Sequence, residues 1–148
     1  MFNECRLLTS LNLENFDTSL VNMMNRVFSG CNSLKSLNIN NFNTSLVVDM
    51  EDMFSYMYSL TSLNLTNFNT SSVQNMKGVF YNSSFEFLNL SSFNTSSTKT
   101  LIYMFKRCSK LKSIDLSSFR ISKVNELSHM FTECYSLTSI DLSNFKNS

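Results

Sequence analysis

The chain has 148 residues, enough for one domain, and its 12 basic and 11 acidic residues give a net charge of +1. This balance gives no electrostatic case for binding nucleic acid or a membrane surface, and two glycines cannot form a glycine-rich phosphate loop. Proline is absent, whereas there are 27 Ser, 20 Asn, 19 Leu and 14 Phe. The apolar content of 43% still predicts a folded core. No apolar run reaches the ~18–20 residues of a membrane span, and the first residues lack the pattern of a signal peptide.

One unit of about 26 residues recurs along the whole chain, and two series of phenylalanines mark it. The first series is Phe2, Phe28, Phe54, Phe80, Phe105 and Phe131, and the second is Phe16, Phe42, Phe68, Phe93, Phe119 and Phe145. A fixed period predicts stacked units that share one core, in which equivalent residues form columns and the phenylalanines form two aromatic spines. We therefore predict a single repeat domain over 1–148, whose units start near Met1, Val27, Met53, Val79, Met104 and Met130.

The pattern L-x-x-L-x-L predicts a short strand in each unit. It ends in strict alternation, which is typical of a strand with one buried face. In the second unit the inward residues are Leu37 and Ile39, which follow Leu34. Strands of successive units would pair in parallel, so the sequence predicts a sheet six strands deep.

The segment V-x-x-M-x-x-M-F predicts a short helix or helical turn in the second half of each unit. Its apolar residues are spaced by three and seven, as in Val47, Met50, Met53 and Phe54. Thr44 and Ser45 precede this segment, and their hydroxyls are expected to cap its first turn. The methionines expected to fill the space beneath it are Met50, Met53, Met76, Met104 and Met130.

Four cysteines share one column, three residues after the first phenylalanine of a unit: Cys5, Cys31, Cys108 and Cys134. We predict a structural column of buried thiols, and two disulfides, Cys5–Cys31 and Cys108–Cys134, are the alternative that stacked coils permit. The cysteines lack the paired spacing of a zinc site, and nothing in the sequence orients His129 toward a nucleophile. No catalytic residue, metal ion or cofactor is therefore predicted.

The text MFSYMYSLTSLNLTNFNTSSVQNM at 53–76 and MFTECYSLTSIDLSNF at 130–145 resembles the leucine-rich repeats, and among them the BspA-like repeats of bacterial and protist surface proteins. The sequence departs from those repeats in one respect, because the glycine that usually precedes the cysteine is kept only at Gly30. The resemblance implies an α/β fold: a right-handed leucine-rich-repeat solenoid with parallel short strands on the concave side and short helices or helical turns on the convex side. It also implies that the chain is a fragment of a longer array in a cell-surface or extracellular protein.

Two outward columns of the predicted strands would line the concave face. One is Ser10, Ser36, Ser62, Phe87, Ser113 and Ser139, and the other is Asn12, Asn38, Asn64, Asn89, Asp115 and Asp141. The candidate binding residues are Ser62, Asn64, Phe87, Asn89, Ser113, Asp115 and Asp141. The alternative for the amides is a structural ladder of hydrogen bonds along the column. Phe87 lies in the one unit that lost a residue, so it is either a binding anchor or a sign of local repacking.

We expect non-catalytic binding of a host-derived or extracellular protein partner through the concave face, as the resemblance implies for adhesion. The alternative is a structural spacer that presents a domain absent from this chain, and the near-constant concave columns favour it slightly. Neither end carries a polar capping unit, so we expect exposed apolar residues there and end-to-end self-association. The residues expected to be exposed are Leu8, Leu11 and Leu13 at one end and Ile140 and Leu142 at the other. The basic stretch 106–112 is either a solvated loop or a patch for an acidic partner.

Overall fold

The computed structural model describes residues 1–145. Its two strands are β1, Phe87–Leu88, and β2, Ser113–Ile114, which pair in parallel with Phe87 opposite Ser113. A second row of single parallel bridges joins Met23, Asp49, Asn75, Thr100 and Glu126 in succession. Each bridge joins residues that lie one repeat period apart, so the chain winds into coils that stack in register.

The core runs continuously through these coils. Adjacent rings of the first phenylalanine series lie 5.4–5.9 Å apart and within 10° of parallel, which confirms the first aromatic spine. In the second series Phe93, Phe119 and Phe145 stack at 6.5 and 6.3 Å, and Phe42 packs against Phe28 of its own coil at 6.1 Å. The methionines predicted to be buried are at most 4% exposed.

The predicted helical segments are wrong, because no helix occurs within residues 1–145. Near the start of the third coil the N–H groups of Met50, Asp52 and Phe54 donate to carbonyls of the next coil at 2.8–2.9 Å. The residues between them close four-residue turns, such as Met53 N–H to Met50 O at 3.1 Å. The apolar spacing of three therefore reflects successive turns along an inter-coil ladder rather than a helix.

The predicted sheet is also smaller than expected. Two strands of two residues each replace the six that the alternating pattern predicts over the described part of the chain. An asparagine or aspartate stands between the last two apolar residues of each alternating segment and accepts the N–H two residues later, as Asn64 Oδ1 does from Thr66 at 3.1 Å. This turn bends the backbone away from the neighbouring coil, so the strand ends early.

Buried threonines join successive coils, rather than capping helices as the sequence predicted for Thr44. The hydroxyl of Thr70 donates to the carbonyl of Asn94 at 3.0 Å and accepts the N–H of the same residue at 2.8 Å. Thr18, Thr44 and Thr95 make the same pair of bonds to the next coil, and all four residues are at most 5% exposed. Each hydroxyl thus pairs with both the N–H and the carbonyl of one residue of the next coil.

The cysteine column is built from free thiols that also bond between coils. The Sγ atoms of Cys31, Cys108 and Cys134 donate to a phenylalanine carbonyl of the preceding coil at 3.0–3.2 Å. Ser83 takes the same place in the fourth coil and donates to Phe54 O at 2.7 Å. The third coil has Met57 at this place, fully buried and without a donor, so the column accommodates cysteine, serine or methionine.

Two positions of each coil have left-handed backbone. One precedes the cysteine column, with φ between 51° and 74° at Glu4, Gly30, Tyr56, Asn82, Arg107 and Glu133. The other has φ between 53° and 60° at Arg26, Asp52, Gly78, Tyr103 and His129. At Gly30 an added Cβ would lie 2.9 Å from Cδ of Glu4, so the glycine also leaves room for a side chain of the preceding coil. The repeat tolerates left-handed strain, on the order of 1 kcal/mol per residue, at nine non-glycine positions.

The terminal coils only partly follow the expectation of exposed apolar residues. Leu142 is 43% exposed, whereas Leu8, Leu11 and Ile140 are half-buried. Leu13 is 2% exposed, so the prediction for this residue is wrong. Its side chain joins the core cluster, and its carbonyl accepts the N–H of Phe16 in a turn and the amide of Asn41 from the next coil.

We predict that Thr70→Val destabilises the domain more than Thr70→Ser. Valine removes the hydroxyl and with it both hydrogen bonds to the backbone of Asn94, at a cost of about 1–3 kcal/mol. Serine keeps both hydrogen bonds and loses a methyl group. Urea unfolding of the two variants measures the difference, and equal stabilities would mean that the threonine column is retained for packing alone.

We predict that the domain loses stability at alkaline pH, where its buried thiols ionise. Burial raises the pKa of Cys31 to about 11 and that of Cys108 to about 12, from an ordinary value of 9.0. Because the folded thiols hold their protons more tightly than the unfolded ones, their contribution is complete below pH 9 and is lost as the pH rises through 11 to 12.

Cys108→Ser isolates this effect, since serine keeps the hydrogen bond and does not titrate. We expect the free energy of unfolding to fall less steeply with pH in Cys108→Ser than in the wild type. Urea unfolding measured across this range tests the expectation. Parallel curves for the two proteins would show that Cys108 makes no contribution.

Candidate functional site

The two predicted outward columns form one exposed surface, the polar face. All twelve of their residues are exposed, from Ser10 and Asn12 in the first coil to Ser139 and Asp141 in the last. The structure thus brings together the seven candidate binding residues: Ser62, Asn64, Phe87, Asn89, Ser113, Asp115 and Asp141. Strand β1 presents Phe87 and strand β2 presents Ser113 beside it.

The asparagines of the polar face close turns rather than forming the predicted amide ladder. Asn38, Asn64 and Asn89 each accept the N–H of the residue two positions later at 3.1–3.2 Å. Asp115 and Asp141 accept the equivalent N–H at 2.8 Å. Because the turn uses only Oδ1, asparagine and aspartate are interchangeable in this column.

This role also explains why two neighbouring carboxylates are tolerated on the polar face. The like charges of Asp115 and Asp141 would repel each other on adjacent coils. Hydrogen bonds from the backbone and hydroxyl of Ser117 lower the pKa of Asp115, although the negative charge of Asp141 acts to raise it. Hydrogen bonds from Ser143 likewise lower the pKa of Asp141. Both groups therefore remain charged at neutral pH and present negative charge at one end of the face.

Phe87 is the one aromatic residue in the serine column, and its side chain is 56% exposed. The ammonium of Lys112 lies 5.4 Å from the centre of its ring and bonds to Glu86 at 2.6 Å. The residue lost from the fourth coil is accommodated at Phe85, which is fully buried and packs edge-on against Phe80 at 5.7 Å. Local repacking therefore accounts for Phe85, while Phe87 points outward as a braced apolar projection.

The side chains that could serve catalysis or metal binding are not brought together within residues 1–145. His129 is exposed and contacts Tyr103 and the hydroxyl of Thr132, rather than a serine and a carboxylate. Among residues 1–145 no group of three or more His, Cys, Asp or Glu side chains is placed to hold a metal ion. In the same part of the chain no helix is long and apolar enough to cross a membrane.

A second surface, which the sequence did not predict, carries all five tyrosines. Tyr56, Tyr81 and Tyr103 follow one another along the stack, with ring centres 5.2 and 6.5 Å apart. Tyr58 and Tyr135 are 45% and 79% exposed. The tyrosines are not evenly spaced in the sequence, so they produce no periodic signal. Their restriction to residues 56–135, outside the core columns, was the available indication.

The comparisons with known proteins identify a family. The sequence matches the family described as "Mycoplasma protein of unknown function, DUF285" twice, over residues 1–87 and 61–148. No curated protein matches it at a significant level. A solved leucine-rich repeat protein from Bacteroides ovatus is 18% identical, with a TM-score of 0.21, over 95% of this chain and 62% of the other. The chain thus spans less than two thirds of that protein. Two overlapping family matches cover every residue, so the chain belongs to the DUF285 family.

Proposed function

We propose that the chain is a non-catalytic protein-binding module of a cell-surface or extracellular adhesion protein, and that it binds its partner through the polar face. The observation that carries this proposal is the exposed ring of Phe87 in a column that is otherwise serine. A large ring braced on a rigid element loses little freedom on binding, which is typical of the residues that dominate interface energies.

The surroundings of Phe87 define the partner chemistry. Lys112 covers one side of the ring and donates a hydrogen bond to Glu86. This hydrogen bond lowers the pKa of the Glu86 carboxyl, which is therefore charged at neutral pH. Ser62 and Ser113 flank the ring on adjacent coils. The matching partner surface is an apolar pocket with a polar rim, as in a typical protein interface.

We further propose that the stacked coils form a right-handed leucine-rich-repeat solenoid of the BspA-like type. The repeat text at 53–76, the parallel bridges between equivalent residues of successive coils and the DUF285 membership support this assignment. The surface location and the extracellular partner rest on the resemblance. A binding role is favoured over an enzymatic one because the repeated polar side chains serve turns and inter-coil contacts.

A structural spacer is the second candidate, and one observation favours it. The conserved oxygen of each asparagine or aspartate on the polar face is already bound to the backbone of its own turn. Such a column needs no ligand to explain its regularity. In this case the coils would hold another domain of the parent protein at a distance, and Phe87 would have no partner.

Phe87→Ser separates the two candidates, because it restores the residue of the neighbouring coils. Leu46→Ser is the matched control, since Leu46 is 52% exposed elsewhere and the next coil has Ser72 in its place. Surface plasmon resonance on a set of purified extracellular-matrix proteins gives the readout. We expect Phe87→Ser to weaken binding at least tenfold, about 1.4 kcal/mol, while Leu46→Ser binds like the wild type. Equal binding by both variants, or none by the wild type, would favour the spacer.

A further inference from the structure

The surface that carries the tyrosines, here called the tyrosine edge, is separate from the polar face. It comprises Tyr56, Tyr58, Tyr81, Tyr103 and Tyr135. The residues are linked along the stack: Tyr56 packs edge-on against Tyr58 and Tyr81, and Tyr58 accepts a hydrogen bond from Asn82 at 3.0 Å. The rings of Tyr56, Tyr58, Tyr81 and Tyr103 therefore form one continuous row across the third and fourth coils, and Tyr135 lies in the sixth.

Three hollows lie along this edge. The first is lined by Glu4, Arg6, Gly30, Asn32, Tyr56 and Tyr58. The middle one has a volume of about 260 Å³ and is lined by Asp52, Tyr56, Lys77, Tyr81, Tyr103 and Lys106. The third is lined by Asn82, Arg107, Ser109, Glu133 and Tyr135. Each hollow thus combines tyrosine, one carboxylate and one or more cationic side chains.

The carboxylate of each hollow is paired with a cation. Arg6 pairs with Glu4 at 2.8 Å in the first hollow, and Arg107 pairs with Glu133 at 3.0 Å in the third. In the middle hollow Asp52 pairs with Arg26 at 3.3 Å and Lys77 pairs with Glu51 at 3.1 Å, while Lys106 lies over the ring of Tyr103, 4.8 Å from its centre. An acidic peptide would meet a carboxylate in every hollow, and a basic peptide would meet a cation. The edge therefore suits a ligand without net charge that both donates and accepts hydrogen bonds.

A sugar ring has this chemistry. Its hydroxyls donate to carboxylates and accept from ammonium, guanidinium and amide groups, while its C–H face packs against a phenol ring. The size of the middle hollow is suited to one such ring with its hydroxyls. Small-molecule sites typically combine an apolar wall with a few convergent polar groups in this way.

The repetition of the hollows indicates a polymer rather than a single sugar. Tyr58 and Tyr135 occupy the same position of coils three apart, and the middle hollow lies between them. A chain of sugar units laid along the stack would meet a tyrosine and a pair of charged groups repeatedly. Several weak contacts on one ligand then add up to a useful affinity.

We propose that the tyrosine edge is a binding site for a neutral linear polysaccharide, which runs along the stack with its sugar rings against Tyr58, the Tyr81–Tyr103 pair and Tyr135. The site is independent of the polar face, so a protein bound at Phe87 and a glycan bound at the tyrosine edge do not compete.

Affinity electrophoresis of the full chain tests this site, with hydroxyethyl cellulose, soluble starch and galactomannan as probes in the gel. We expect at least one probe to retard the wild type. Tyr81→Ala combined with Tyr103→Ala should raise the dissociation constant at least tenfold, and Tyr135→Ala about threefold. Phe87→Ser is the matched control on the other face and should be retarded like the wild type.

Thermal unfolding checks that each variant is folded. If the double variant is not, Tyr58→Ala combined with Tyr135→Ala replaces it, because both side chains are largely exposed. Polyglutamate in a parallel gel tests the acidic-peptide alternative. The proposal is overturned if none of the three polysaccharides retards the wild type, if the tyrosine variants are retarded equally, or if polyglutamate alone retards the protein. Tighter binding of longer oligosaccharides would support a site that spans several hollows.

Discussion

Backbone hydrogen bonds between successive coils hold the stack together, because the coils within residues 1–145 form neither helices nor long strands and their turns pair only part of the backbone. The N–H groups of Met24, Met50 and Met76 all donate to the next coil at 2.9–3.2 Å. A slip of one residue would break these bonds and also misplace the phenylalanine spine, whose rings stack along the same register. The fixed period is therefore a consequence of backbone satisfaction and ring packing together.

This constraint explains the unusual composition. Turns that proline or glycine would form elsewhere are closed by asparagine or aspartate oxygens, as at Asn64, Asn69 and Asp49. Threonine hydroxyls pair with backbone groups of the next coil, and serine hydroxyls and cysteine thiols donate to phenylalanine carbonyls of the preceding coil. Across the described residues no buried side-chain nitrogen or oxygen is left without a partner. A sequence rich in Asn, Ser and Thr is what such a stack requires.

The sequence predicted the period and the buried columns well, because phenylalanine and leucine at fixed intervals are typical of stacked units that share one core. The sequence-based prediction was wrong where a helix and a series of turns produce the same spacing of apolar residues. Met50 and Met53 are three residues apart, as on a helix, but left-handed Asp52 between them turns the chain instead. The left-handed positions carry Tyr, Arg, His and Glu as well as Gly, so residue type gave no signal there. The polar face was predicted from alternation, whereas the tyrosine edge follows from turn geometry that the sequence does not display.

Binding surfaces on such a stack arise where a column is free to vary. In the asparagine column every residue must supply an oxygen to its turn, so it changes only to aspartate. The serine column beside it supplies no side-chain oxygen to a turn at β1, so a phenylalanine, Phe87, can stand there in place of serine. The left-handed turns direct Tyr56 and Tyr103 outward, where their rings are not needed by the core. Departures from the repeat at these positions alter the surface without disturbing the stack. The same register that fixes the core thus leaves two separate faces on which different ligands can be recognised.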